Sequence, residues 1–171
     1  MSPIFVAVNN IHSKASRKLV EQASALHDRT GGTLHLAHVL LDVVVLPCQK
    51  ARVLAVFEQT FRHLLVKHPG ITVRFHVIDV ERALSSYSQP AALKAEALAR
   101  RAAELECTVM LVGGSSCKTR DTPPAAFLLG HSMEHWLRTV SPIPIIFAAD
   151  MQMTSHLKMD KSVHRAFVSC Q

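Results

Sequence analysis

A chain of 171 residues, 49% hydrophobic but only 5% aromatic, is long enough to bury one aliphatic core and reads as a single domain. Its longest apolar stretch, around Leu40 to Leu46, is broken by Asp42 and falls short of the ~20 residues of a membrane span; the start Met1-Ser2-Pro3-Ile4 has neither a basic segment nor a long apolar one, so no anchor and no secretory leader are expected. The formal net charge of +6 comes from Lys and Arg scattered along the chain without interleaved aromatics, which predicts solvated helix faces rather than a nucleic-acid surface.

Ile4-Phe5-Val6-Ala7-Val8 is uninterruptedly apolar, as a strand buried on both faces should be. Asn9 to His12 reads as a loop and Ser13 as an N-cap. Ala15, Leu19, Ala23 and Leu26 follow at helical spacing, and Gly31-Gly32 stops that helix. Leu34 to Leu41 is a second strand. Asp42 to Lys50, which contains Pro47, is expected to be a connector, and Val53, Val56, Phe57, Phe61 and Leu64 mark an amphipathic helix ended by His68-Pro69-Gly70. Ile71, Val73, Phe75 and Val77 alternate with polar residues, which predicts a third strand with a more exposed face; Asp79 and Glu81 close it toward solvent. Tyr87 to Pro90 leads into a helix with the stripe Ala91, Ala95, Leu98, Ala102, Leu105. Thr108 to Val112 is a fourth strand, Met133, Trp136, Leu137 and Val140 stripe a last helix, and Pro144 to Ala148 is a fifth strand.

This β-α-β-α-β-α-β-α-β order requires crossover connections, so the predicted fold is α/β: one doubly wound, five-stranded, mainly parallel sheet with helices on both faces. Residues 1–150 form the domain, and 151–171 read as a loosely ordered extension. In such sheets ligands sit beyond the carboxyl ends of the strands, where the winding reverses. If the first and fourth strands are neighbours there, Asn9-Asn10 and the turn Gly113-Gly114-Ser115-Ser116 share a crevice with the helix opening at Gly130-His131-Ser132. Small-residue loops and a helix N-terminus offer free N–H groups to an anion. The pattern is neither a Walker loop nor a dinucleotide fingerprint.

The layout resembles the universal stress protein family. The residues that carry the resemblance are Ile4 to Asn10, Leu36-Ala37-His38-Val39, Val109 to Ser116, Leu128 to Arg138 and the proline-flanked Pro142-Ile143-Pro144-Ile145-Ile146, together spanning residues 3–148. ATP-binding members carry G-x-x-G, nine residues, then G-[ST]. Here Gly113 and Gly130 match glycines of that pattern, Ser116 stands where the second glycine belongs, and His131 stands where Ser or Thr is usual, with Ser132 one place later. Thirteen residues, 117 to 129, separate Ser116 from Gly130, and Asp121-Thr122-Pro123-Pro124 accounts for the longer loop. Asn9 replaces the family's acidic residue after the first strand, and Val39 matches the position whose backbone meets adenine.

The resemblance implies a regulatory module that takes ATP or another adenine nucleotide among Asn9, Val39, Gly113, Gly114, Ser115, Ser116, Gly130, His131 and Ser132, with Lys118 and Arg120 adding charge. It also implies a homodimer through the last strand, at Ile145, Ile146 and Phe147, an apolar edge that needs covering. The altered motif leaves a second use open: a dimeric interaction or scaffold protein of the same fold without nucleotide. With no Walker lysine and no dedicated base, any hydrolysis is expected to be slow and incidental.

Four cysteines without C-x-x-C spacing (Cys48, Cys107, Cys117, Cys170) predict free thiols and a cytoplasmic setting. Cys117 lies in the phosphate loop, where a helix N-terminus can lower a thiol's pKa; the simpler reading is an ordinary thiol. His131 and His135, with Glu134, share a helix face but lack the H-E-x-x-H order and a third ligand, so no metal site is expected. His35 and His38, three apart in a strand, are expected on opposite faces. No nucleophile elbow is present.

Overall fold

The computed structural model describes residues 2–42, 44–68, 70–81, 90–113 and 133–148. Five strands, β1 (Ile4–Ala7), β2 (Thr33–Asp42), β3 (Thr72–Glu81), β4 (Val109–Val112) and β5 (Ile145–Phe147), alternate with four helices, α1 (Lys14–Thr30), α2 (Pro47–Leu65), α3 (Pro90–Glu104) and α4 (Met133–Val140). The sheet order is β3-β2-β1-β4-β5 and all four pairings are parallel. This is the predicted doubly wound fold, with β1 and β4 side by side in the register Ile4↔Val109 to Ala7↔Val112.

Alternation along β1 and β2 divides the core. Ile4, Val6, Leu34 and Leu36 pack with Leu19, Val20 and Ala23 of α1 and Phe57 and Phe61 of α2. Phe5, Ala7, Ala37 and Val39 pack with Ala95, Leu98 and Ala102 of α3 and Leu137 of α4. In the first layer Phe57 meets Phe61 and Phe75 edge-to-face at centroid distances of 5.4 and 5.2 Å.

Local chemistry sets the boundaries. The Ser13 hydroxyl accepts the Ser16 N–H at 3.0 Å, so the predicted N-cap of α1 is formed. The Gly31 N–H donates to the His27 carbonyl at 2.7 Å and closes the helix. The connector expected over Asp42 to Lys50 is shorter than that. Pro47 occupies the first turn of α2, where its fixed φ and missing N–H suit a helix start, and Gln49 Oε1 accepts the Leu46 N–H at 3.2 Å. Lys50, already inside α2, pairs with exposed Asp79 on β3.

Gly32 has φ +102°, and a Cβ there would lie 2.6 Å from the backbone oxygen of Ser2, because β1 and β2 start side by side. Gly70 has a similar φ, +108°, but a Cβ there meets nothing within 4 Å. Both alanine variants should lose the ~1–3 kcal/mol of a strained φ. Gly32→Ala should lose more, because backbone must shift. Urea unfolding of the two variants checks this, and equal midpoints would show that Ser2 is not packed against Gly32.

Candidate functional site

The winding reverses between β1 and β4, and the carboxyl ends of the strands there are the expected ligand position. A narrow cleft opens on the α3/α4 side of this end. Ala7, Val8 and Asn9 line it from the end of β1, Val39 from β2, Lys94 and Leu98 from α3, and Met133 from the first turn of α4. Its interior is about 10 Å³, room for roughly one water.

Two hydrogen bonds hold the end of β1 in place past the last paired residue. The Val8 N–H donates to the Ala37 carbonyl at 2.8 Å. The Val8 carbonyl in turn accepts from His38 Nδ1 at 2.8 Å, which fixes the tautomer with the hydrogen on Nδ1. Burial lowers the His38 pKa; the bond to Val8 opposes that and the charge on Lys94 adds to it, so the ring is neutral near pH 7. The chain beyond Val8 is thereby delivered to the cleft with Asn9 exposed at its mouth, and Asn10 Oδ1 accepts the His12 N–H at 3.0 Å in the turn that follows.

Of the residues predicted for the site, Asn9 and Val39 line one cleft. Gly113 stands one residue past the pair Ala7↔Val112, level with Val8, but does not line the cleft. It does not use a positive φ, and a Cβ there would make ordinary contact with Leu19 at 3.7 Å. Gly114, Ser115, Ser116, Gly130, His131 and Ser132 lie outside the described residues, as do Cys117, Lys118, Arg120, the loop insertion and the extension 151–171. Among the described residues no group of three or more His, Cys, Asp or Glu is placed to hold a metal. No described helix is long and apolar enough to cross a membrane. Cys107 is buried, and burial pushes its thiol up to about 11, so it stays protonated and inert.

Lys94 was absent from the sequence reading. The signal was there: Lys94 sits one turn before Leu98, on the apolar side of α3. His35 and His76 were also missed as a pair. Strand register brings β2 and β3 together so that His35 Nδ1 and His76 Nε2 share a hydrogen at 2.9 Å, with the rings stacked at 5.2 Å. His35 and His38 do lie on opposite faces, one toward Arg101 of α3 and the other edge-on to Phe57 of α2.

No model of a known protein family matches the chain, and no curated protein does. Solved structures do match. A universal stress protein from Archaeoglobus fulgidus DSM 4304 superposes with a TM-score of 0.55 at 20% identity, over 85% of this chain and 43% of that longer one. A universal stress protein in complex with cAMP gives 0.58 at 16% identity, over 86% of this chain and 98% of its own. A universal stress protein family protein from Arabidopsis thaliana with AMP bound gives 0.53 at 11% identity, over 86% and 90%. The likeness is one of fold: the five-stranded parallel sheet and its helices are those of the universal stress proteins.

The histidine pair makes stability pH-dependent. Burial, then the charges on His35, Arg101 and Arg74, hold His76 down to about 4, against about 6.5 when unfolded. A lowered histidine favours the folded state while neutral, so its contribution is complete above about pH 6.5 and is lost as pH falls toward 4. His76→Gln should therefore lose less stability than the native chain between pH 7 and 4.5. Urea midpoints across that range check it, and parallel pH profiles would refute the assignment.

Proposed function

We propose that this chain is a universal-stress-protein-like regulatory module that takes ATP or another adenine nucleotide at the crevice beyond β1 and β4. The observation that carries this reading is the convergence of Asn9 and Val39, distant in sequence, on one cleft at the topological switch point. The AMP-bound and cAMP-bound structures of the same fold support it. In this reading Val39 meets the adenine through its backbone and Asn9 offers an N–H donor and a carbonyl in place of a carboxylate. Gly113, Gly114, Ser115, Ser116, Gly130, His131 and Ser132 meet the phosphates with backbone N–H groups. Entry requires the long, flexible side chains of Lys94 and Met133 to swing aside from a cleft that holds about one water. A cytoplasmic setting follows from the thiols without C-x-x-C spacing.

The small cleft supports a second reading, a dimeric interaction protein of the same fold that takes no nucleotide. Both readings share a homodimer through β5, a sheet edge with Ile145 and Ile146 half-exposed. Phe147 is buried within its own chain, with the Arg138 guanidinium 4.5 Å over its ring, so it would support the edge rather than project from it.

Calorimetric titration with ATP separates the readings. The nucleotide module gives saturable heat, and Gly130→Glu, which sets a carboxylate where phosphate is to approach, abolishes it while circular dichroism stays native. No heat and no thermal shift at millimolar ATP would leave the interaction protein as the account.

For the dimer, sedimentation of the native chain at micromolar concentration should give twice the mass of Ile145→Lys. A native monomer would remove β5 as an interface.

A further inference from the structure

Among the described residues lining the cleft Lys94 is the one cation, and it is half-buried there. Among the described residues it has no hydrogen bond and no ion pair. A cation drawn from water into a groove without a carboxylate is costly, and a partner that brings negative charge relieves that cost. The described residues that line the cleft do not supply such charge. Asn9 is neutral, and His38 has its Nδ1 hydrogen committed to the Val8 carbonyl. The surroundings add positive character instead, because α3 and α4 both begin at this end of the sheet and direct their N-terminal dipoles toward it.

We propose that Lys94 is the charge-selecting residue of this cleft: its ammonium pairs with an anionic, phosphate-class group of the ligand, and the cleft discriminates against the neutral nucleoside. This deepens the nucleotide reading and rests on it for the adenine part of the ligand. The anion part stands on Lys94 alone. The flexible four-carbon stem lets the ammonium follow the anion as Lys94 and Met133 swing aside.

The test compares native chain, Lys94→Met and Lys94→Arg against ATP, adenosine and pyrophosphate, each by calorimetry and thermal shift. Lys94→Met keeps the stem's bulk and removes the charge; Lys94→Arg keeps the charge. The expected result is that Lys94→Met binds ATP about ten- to hundredfold more weakly, as loss of a charge-assisted bond predicts. Lys94→Arg should retain most of the affinity, and the weak binding of adenosine should not change. Equal ATP affinity in native and Lys94→Met chains would overturn the role of Lys94 while leaving the nucleotide module intact. If ATP and adenosine fail to bind but pyrophosphate binds the native chain and not Lys94→Met, the anion site stands and the nucleotide module falls. If no probe binds the native chain, both fall. Circular dichroism and the unfolding midpoint of each variant confirm that any loss belongs to the cleft.

Discussion

The parallel pairing of β1 on both sides is the constraint on which the rest of the molecule depends. Ile4 to Ala7 pairs with Leu34 to Ala37 on one edge and with Val109 to Val112 on the other. A strand flanked in this way is covered on both faces by helices, and its residues are buried without exception. The chain winds outward from it in one direction through β2 and β3 and in the other through β4 and β5. The reversal leaves connections on opposite faces at the carboxyl end, and the gap between them is the crevice. His38 then ties β2 to the carbonyl of Val8, so the end of β1 is fixed from within the sheet.

The same layering gives the sheet two distinct faces. The α1/α2 face carries the aromatic cluster around Phe57 and the larger aliphatic residues. On the α3/α4 face, α3 contributes the small side chains of Ala95 and Ala102, completely buried, beside Leu98. Lys94 lies within electrostatic reach of His38, so a helix residue and a strand residue on different faces influence one charge balance at the end of the sheet. Away from the cleft, the His35–His76 pair adds a second polar feature between β2 and β3.

The fold was legible because each element carried a strong signal of its own. The unbroken apolar runs Ile4 to Val8 and Val109 to Val112 could only be doubly buried strands, and Ser13 and Gly31 marked both ends of α1. The start of α2 was not, because Pro47 was read as a breaker when it is the first helical residue. For the site, Asn9 could be placed because it follows the first strand directly, whereas Val39, inside β2, came from the resemblance to the universal stress proteins. Lys94 could not be read as easily. A lysine on a helix defaults to solvent, and only its position one turn before Leu98 on the buried stripe set it apart. The His35–His76 bond was beyond reach for a different reason: alternation gives the face of each residue, whereas the offset between β2 and β3 is set by contacts forty-one residues apart.

The claim that joins these strands of the account is that the end of β1 is a nucleotide site. Amide chemical shifts from a ¹⁵N-labelled chain titrated with ATP test it most directly. The account predicts saturable shifts concentrated at Asn9, Val39, Lys94 and Gly113, with the amides of Gly32 and Thr72 at the opposite end of the sheet unmoved. A spectrum unchanged at millimolar ATP, or shifts centred away from the carboxyl ends of β1 and β4, would contradict it.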